Sequence, residues 1–299
     1  MVPSTSMQTI FHHRYTLRSR GALNAKSSRT EFEGALIRIG DGFGCLHPWP
    51  ELGDPALNDL LADLAKNAFH PLCRGAISSC AMDLDALREA TFPRSHYLLP
   101  PGDNEVPAGF DTVKLKCSGS EADVARLREL PGSLKLRIDL NESLRVDGFL
   151  AFWHNLSDLA DRIEFVEDPT PFDEETWDYL GRGTGCALAL DRSDACSAIP
   201  PIRVIKPALH SAKVASPNQK LVYTSYMDHP VGQWYAAHSA IVGPRPEDRL
   251  TCGLVTHHLF DDSDPFIAAM GPPEPILRIP PNFRDLLDEL PWKLLKASS

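Results

Sequence analysis

Five short apolar segments, each closed by a charged residue, constrain this chain more than anything else in it. They read Val113-Lys114-Leu115-Lys116, Leu136-Arg137-Ile138-Asp139, Ile163-Glu164-Phe165-Val166-Glu167, Ala187-Leu188-Ala189-Leu190-Asp191 and Val204-Ile205-Lys206. The closing charges stand at positions 116, 139, 167, 191 and 206, intervals of 23, 28, 24 and 15 residues. Such intervals hold one strand plus one crossover, so the segments read as successive parallel strands. Apolar strands that end in charged residues are the pattern of a barrel with its chemistry at the C-terminal strand ends. Asp139, Glu167 and Asp191 at one end would repel each other unless a cation joined them. Hard carboxylate oxygens on rigid strands suit Mg²⁺. Lys116 and Lys206 would flank an anion bound there.

Alternation puts Lys114 and Lys116 on one face of their strand. Two ammonium groups so close, in a desolvated pocket, are expected to depress each other's pKa. A lysine brought toward neutrality can remove a proton from carbon.

With these residues in view, the chain resembles the muconate-lactonising subgroup of the enolase superfamily and, within it, the o-succinylbenzoate synthase family. The resemblance rests on Lys114-Leu115-Lys116, Arg137-Ile138-Asp139-Leu140-Asn141, Glu167-Asp168-Pro169, Leu190-Asp191 and Ile205-Lys206-Pro207, in that order. It implies an α/β architecture: a modified (β/α)8-type barrel joined to an α+β capping domain. It implies a Mg²⁺-dependent lyase, Mn²⁺ being a possible substitute, that dehydrates 2-succinyl-6-hydroxy-2,4-cyclohexadiene-1-carboxylate in menaquinone synthesis. Asp139, Glu167 and Asp191 would hold the metal. Lys116 would act first as base and then as acid in a syn elimination, while Lys206 stays cationic. Lys114, Arg137 and Asn141 are assigned to substrate contact or to support of the ligands. Ser225 and Gly253 fall at the ends of strands seven and eight, where the family selects substrates. Arg192 stands where the family commonly has glutamate, and strand alternation would turn it away from Asp191. Two other readings stay open: an N-acylamino acid racemase or dipeptide epimerase with the same two lysines, and a non-catalytic barrel used for binding.

The expected layout is a capping domain over residues 1–94, a barrel over 95–265, and a segment from about 266 to 299 returning to the cap. Residues 9–17 and 32–39 alternate as antiparallel strands. The polar stretch 18–29 between them matches, by resemblance, a loop that folds over substrate, with Arg18, Arg20 and Lys26 as candidate contacts. Asp54-Pro55 reads as the start of a helix with Asp54 as its N-cap. A second helix is expected over 81–90 and a terminal one over 283–295. Strands one, seven and eight are placed at 96–99, 221–225 and 251–255. So few residues follow strands five and six that their outer helices must be reduced.

Composition narrows the alternatives. A net charge of −10 disfavours nucleic-acid and anionic-membrane partners; the small-molecule carboxylate expected as ligand is what the resemblance implies. The 7 cysteines include no Cys-x-x-Cys pair, which suits reduced thiols in the cytoplasm. His257-His258, with Asp261, Asp262 and Asp264 nearby, fits a solvated loop better than a zinc site. His229 and His238 have no evident partners. Nothing in the sequence sets the oligomeric state.

Overall fold

The computed structural model describes residues 9–23, 28–66, 70–192, 197, 199–210 and 215–297. The chain begins with an antiparallel meander, β1 (Ile10–Arg18), β2 (Glu31–Ile39) and β3 (Gly42–Leu46). Three helices follow: α1 (Leu57–Lys66), α2 (Pro71–Ser79) and α3 (Leu84–Arg88). α1 buries Leu57, Leu60, Leu61 and Leu64 on one face, each worth about 1.5–3 kcal/mol of transfer free energy. Asp54 is not its cap. The Asp54 carboxylate accepts from the Trp49 main-chain N–H at 2.8 Å and the Tyr226 hydroxyl at 3.0 Å, so a long-range contact has taken the side chain. α2 is not among the expected helices, and its Gly75 is a poor helix former. Packing explains the glycine: a Cβ on Gly75 would lie 2.3 Å from the Ala208 carbonyl oxygen. α3 is shorter than the expected 81–90, held by the Asp83 side chain at the N–H groups of Asp85 and Ala86.

The second half of the architecture is β4 (Tyr97–Leu98), β5 (Thr112–Lys116), α4 (Glu121–Glu129), β6 (Lys135–Asp139), α5 (Val146–Asn155), β7 (Ile163–Glu167), α6 (Glu174–Thr184), β8 (Leu188–Leu190), β9 (Ile202–Ile205), β10 (Lys220–Tyr223) and α7 (Pro230–Val242). The seven strands form one parallel sheet in sequential order. No helix lies between β8 and β10 among the described residues, so the outer layer is thin there.

The expected eighth strand, 251–255, is not a regular strand. Single bridges join Arg249 to Leu221, Gly253 to Thr224 and Cys252 to Ser95. This segment therefore lies between β10 and the start of β4 and closes the curl. Its ladder stops because the Ser95 hydroxyl takes the N–H groups of Leu254 at 2.6 Å and Val255 at 3.2 Å. α8 (Pro265–Met270) and α9 (Phe283–Asp288) follow, and β11 (Lys293–Lys296) pairs antiparallel with β1. The expected helix over 283–295 is thus a short helix and then an edge strand. No helix is long and apolar enough to cross a membrane among the described residues.

Inside the curled sheet, Phe165, Ala189, Ile202, Val204 and Val222 form their own buried cluster. It fills the barrel below the charged strand ends and forms the floor of the site.

Candidate active site

Register brings the charges together. Lys116 pairs with Asp139 across β5–β6, and Asp139 pairs with Glu167 across β6–β7. Asp191 and Lys206 are the first residues beyond β8 and β9. Lys114, Lys116, Asp139, Asn141, Glu167, Asp191, Lys206, Ser225 and Gly253 all line one cavity of about 260 Å³.

Arg137 does not. It is fully buried beneath the cavity, with its guanidinium 4.7 Å from the Phe165 ring centre. It donates to Glu164 at 2.6 Å, to the Thr251 carbonyl at 2.7 Å and to His96 Nδ1 at 2.8 Å. Arg137 shares the inward face with Asp139 but lies below the cavity, where it touches the cavity residue His96. His96 does line the cavity. A Cβ on Gly253 would lie 2.7 Å from its ring, so this glycine makes room for the imidazole.

The two lysines of β5 differ. Burial pushes the Lys116 ammonium down to about 8; Asp139 opposes this, and Lys114 and Lys206 reinforce it. Lys116 donates to the Leu23 carbonyl at 2.7 Å. The mutual depression expected of Lys114 is absent. Burial alone would lower it, but Asp139 at 3.0 Å, Glu167 at 2.6 Å and the more distant Asp191 hold it well above its usual value. Lys114 is a fixed cation.

Lys206 forms an ion pair with Asp191 and stands 5.7 Å from the centre of the Tyr226 ring. Burial would raise the Asp191 carboxyl, but Lys206 and Lys114 outweigh it and keep it below the ordinary range.

Arg192 lines the same cavity, contrary to the alternation argument. β8 ends at Leu190, so strand alternation no longer governs position 192. Asp168 sets the backbone there: its Oδ1 accepts the Asp191 N–H at 3.0 Å and its Oδ2 the Arg192 N–H at 3.2 Å. Asp168 is reached through a left-handed φ of 43°, a conformation that aspartate tolerates better than most residues. Asp168 belongs to the Glu167-Asp168-Pro169 motif, within which the sequence attached no separate role to it. Its place between Glu167 and Pro169 was the available signal.

Lys26 lies outside the described residues. His229 has partners after all: its Nδ1 accepts the Val231 N–H at 3.2 Å, and Nε2 lies 3.7 Å from Asp264. His258 Nε2 bonds the Leu98 carbonyl at 2.9 Å, which fits a structural role.

The carboxylates fit a divalent cation. Glu167, Asp168 and Asp191 each offer an oxygen within 4.8 Å of the others. Asp139 adjoins this set through Lys114, which bridges Asp139 and Glu167. Asp191 Oδ1 is buried with no hydrogen-bond partner, an oxygen that a metal would satisfy.

Residues 10–86 match the family model described as O-succinylbenzoate synthase, N-terminal domain. An o-succinylbenzoate synthase of Bdellovibrio bacteriovorus is 32% identical over 337 residues, covering 97% of this chain and 100% of its own. Among solved structures, a dipeptide epimerase of Enterococcus faecalis complexed with Mg and L-Leu-L-Tyr superposes with a TM-score of 0.73 at 16% identity, covering 91% of this chain and 97% of its own. An o-succinylbenzoate synthase of Thermosynechococcus elongatus, with Mg in its active site, has a TM-score of 0.67 at 19% identity and covers 94% and 100%. At these identities the two structures speak to the fold, a barrel with an N-terminal cap.

Proposed function

The chain belongs to the o-succinylbenzoate synthase family of the enolase superfamily, and from that premise we propose that Lys116 dehydrates 2-succinyl-6-hydroxy-2,4-cyclohexadiene-1-carboxylate to 2-succinylbenzoate, a step of menaquinone synthesis. The enzyme is a metal-dependent hydro-lyase acting on a small-molecule carboxylate. The observation that carries the residue assignment is the register of Lys116, Asp139 and Glu167 at one level, with Asp191 and Lys206 around the same cavity.

In this reading Asp139, Glu167 and Asp191 would hold Mg²⁺, and Asp168 positions the Asp191 backbone. The metal supplies Lewis-acid stabilisation of the charge that develops on the substrate carboxylate. Lys116 removes the proton from the carbon bearing that carboxylate, and the C–H electron pair moves onto the carboxylate, from which it returns to form the ring double bond as the C–O bond of the hydroxyl breaks. The resulting ammonium then gives its proton to the departing hydroxyl on the same face. Water leaves, the ring becomes aromatic, and Lys116 returns to its starting state. A pKa near 8 suits a group that must both accept and release a proton. Lys206 stays charged and stabilises negative charge from the other side. Below them, the apolar barrel core keeps water out of the site from beneath.

We assign residues 1–94 and about 266–299 to the cap and 95–265 to the barrel; the pairing of β11 with β1 supports this division. The six described cysteines are free thiols, which supports a reducing compartment such as the cytoplasm. The test is direct: purified protein with Mg²⁺ should consume the cyclohexadiene and release 2-succinylbenzoate. Substrate left unchanged would overturn the assignment.

A further inference from the structure

Arg192 lines the cavity but has no task in the proton transfers above. It is held at both ends. Its main-chain N–H is bound by Asp168, and its Nη2 donates to Asn141 Oδ1 at 2.6 Å. Asn141 is itself fixed, with a left-handed φ of 50° and its N–H 3.2 Å from Asp139 Oδ1. The guanidinium is therefore anchored to the same framework that holds the ligand carboxylates.

A guanidinium has about five N–H donors, and only Nη2 makes a side-chain bond among the described residues. The other cavity cations are committed: Lys114 to Asp139 and Glu167, Lys206 to Asp191, and Lys116 to the proton transfers. Arg192 has no carboxylate partner among the described residues. A permanently charged, planar donor braced from behind and open to a cavity suits one ligand group above others, a carboxylate gripped by two parallel N–H bonds.

We propose that Arg192, braced by Asn141, docks a second carboxylate of the substrate, so that the pocket selects dicarboxylates over otherwise equal monocarboxylates. This rests on the dehydration reading, in which the substrate bears a ring carboxylate and a succinyl carboxylate. The ring carboxylate would lie at the carboxylate cluster that would hold the metal, between the flanking lysines. The succinyl carboxylate goes to Arg192.

The test is calorimetric titration of the Mg²⁺-loaded protein with 2-succinylbenzoate and with 2-butyrylbenzoate, which replaces the distal carboxylate by a methyl group. Wild type should prefer the dicarboxylate. Arg192→Gln should weaken 2-succinylbenzoate about 10- to 100-fold while 2-butyrylbenzoate stays within about twofold. Arg192→Lys should keep part of the preference, having the charge without the fork. Mg²⁺ affinity, titrated separately, should not fall in either variant, and circular dichroism should show both folded. Equal losses for the two ligands, a loss explained by weakened Mg²⁺ binding, or a wild type without preference would overturn the proposal. Normal dehydration by wild type with unchanged discrimination in Arg192→Gln defeats the subsite alone. Clear discrimination lost in Arg192→Gln, with the cyclohexadiene unreacted, defeats the dehydration and leaves the subsite standing.

Discussion

The ammonium of Lys116 donates to the main-chain carbonyl of Leu23, 2.7 Å away. Lys116 ends a barrel strand, whereas Leu23 follows β1 of the capping sheet and buries its side chain, 5% exposed. A residue following the capping sheet therefore holds the amine of Lys116, the group proposed to transfer the proton.

Leu23→Ala keeps the carbonyl but removes the buried anchor that seats it. We expect KM to rise by roughly tenfold, equivalent to about 1.4 kcal/mol of closure, with kcat changed much less. Steady-state kinetics decides this; a fall in kcat at constant KM would contradict it.

Asp168 spends both carboxylate oxygens on the N–H groups of Asp191 and Arg192. Asp168→Asn loses one acceptor and turns an amide N–H toward a backbone N–H. Such positioning groups typically change metal affinity by about 10- to 100-fold, and we expect a Mg²⁺ affinity at least tenfold weaker by calorimetry, with the circular dichroism unchanged. Undiminished Mg²⁺ affinity would remove Asp168 from the positioning role.

His47 is buried beside Tyr15 and Trp49, its Nδ1 2.9 Å from the Tyr15 hydroxyl. Burial, then His229 and Arg29, lowers its pKa from 6.5 to about 3. The stability that depends on a neutral His47 is fully present above pH 6.5 and is lost as pH falls toward the folded value, because the unfolded chain takes up a proton that the folded one refuses. This group steepens the acid loss by about 1.4 kcal/mol per pH unit in that window. His47→Gln should flatten the acid limb by that amount in urea denaturation at pH 7, 6 and 5. Parallel curves for variant and wild type would show that His47 does not carry the dependence.

The strand-end charges were legible because neighbouring parallel strands in register place their closing residues at one level, so spacing alone recovered Lys116, Asp139, Glu167, Asp191 and Lys206 as neighbours. Depth along a strand was less legible. Arg137 shares a face with Asp139 but lies two residues lower, against Phe165. Contacts between segments distant in sequence left no local trace: Asp54 looks like a cap until Tyr226 and Trp49 claim it, and nothing local shows that Gly75 packs against the Ala208 carbonyl. Arg192 was misdirected because alternation was extended past the end of β8, where Asp168 sets the backbone instead.

The central claim is that one lysine carries both proton transfers. The decisive measurement is kcat for Lys116→Arg and Lys206→Arg, each shown to bind Mg²⁺ and 2-succinylbenzoate, with the two alanine variants alongside. Lys116→Ala and Lys116→Arg should lose activity toward or beyond the upper part of the roughly 10²–10⁴-fold range of general acid–base catalysis. Lys206→Arg should retain much more, because arginine keeps the cation and cannot serve as a base. If Lys206→Arg is as inactive as Lys116→Arg while both still bind metal and product, the one-base account is wrong and both lysines exchange protons.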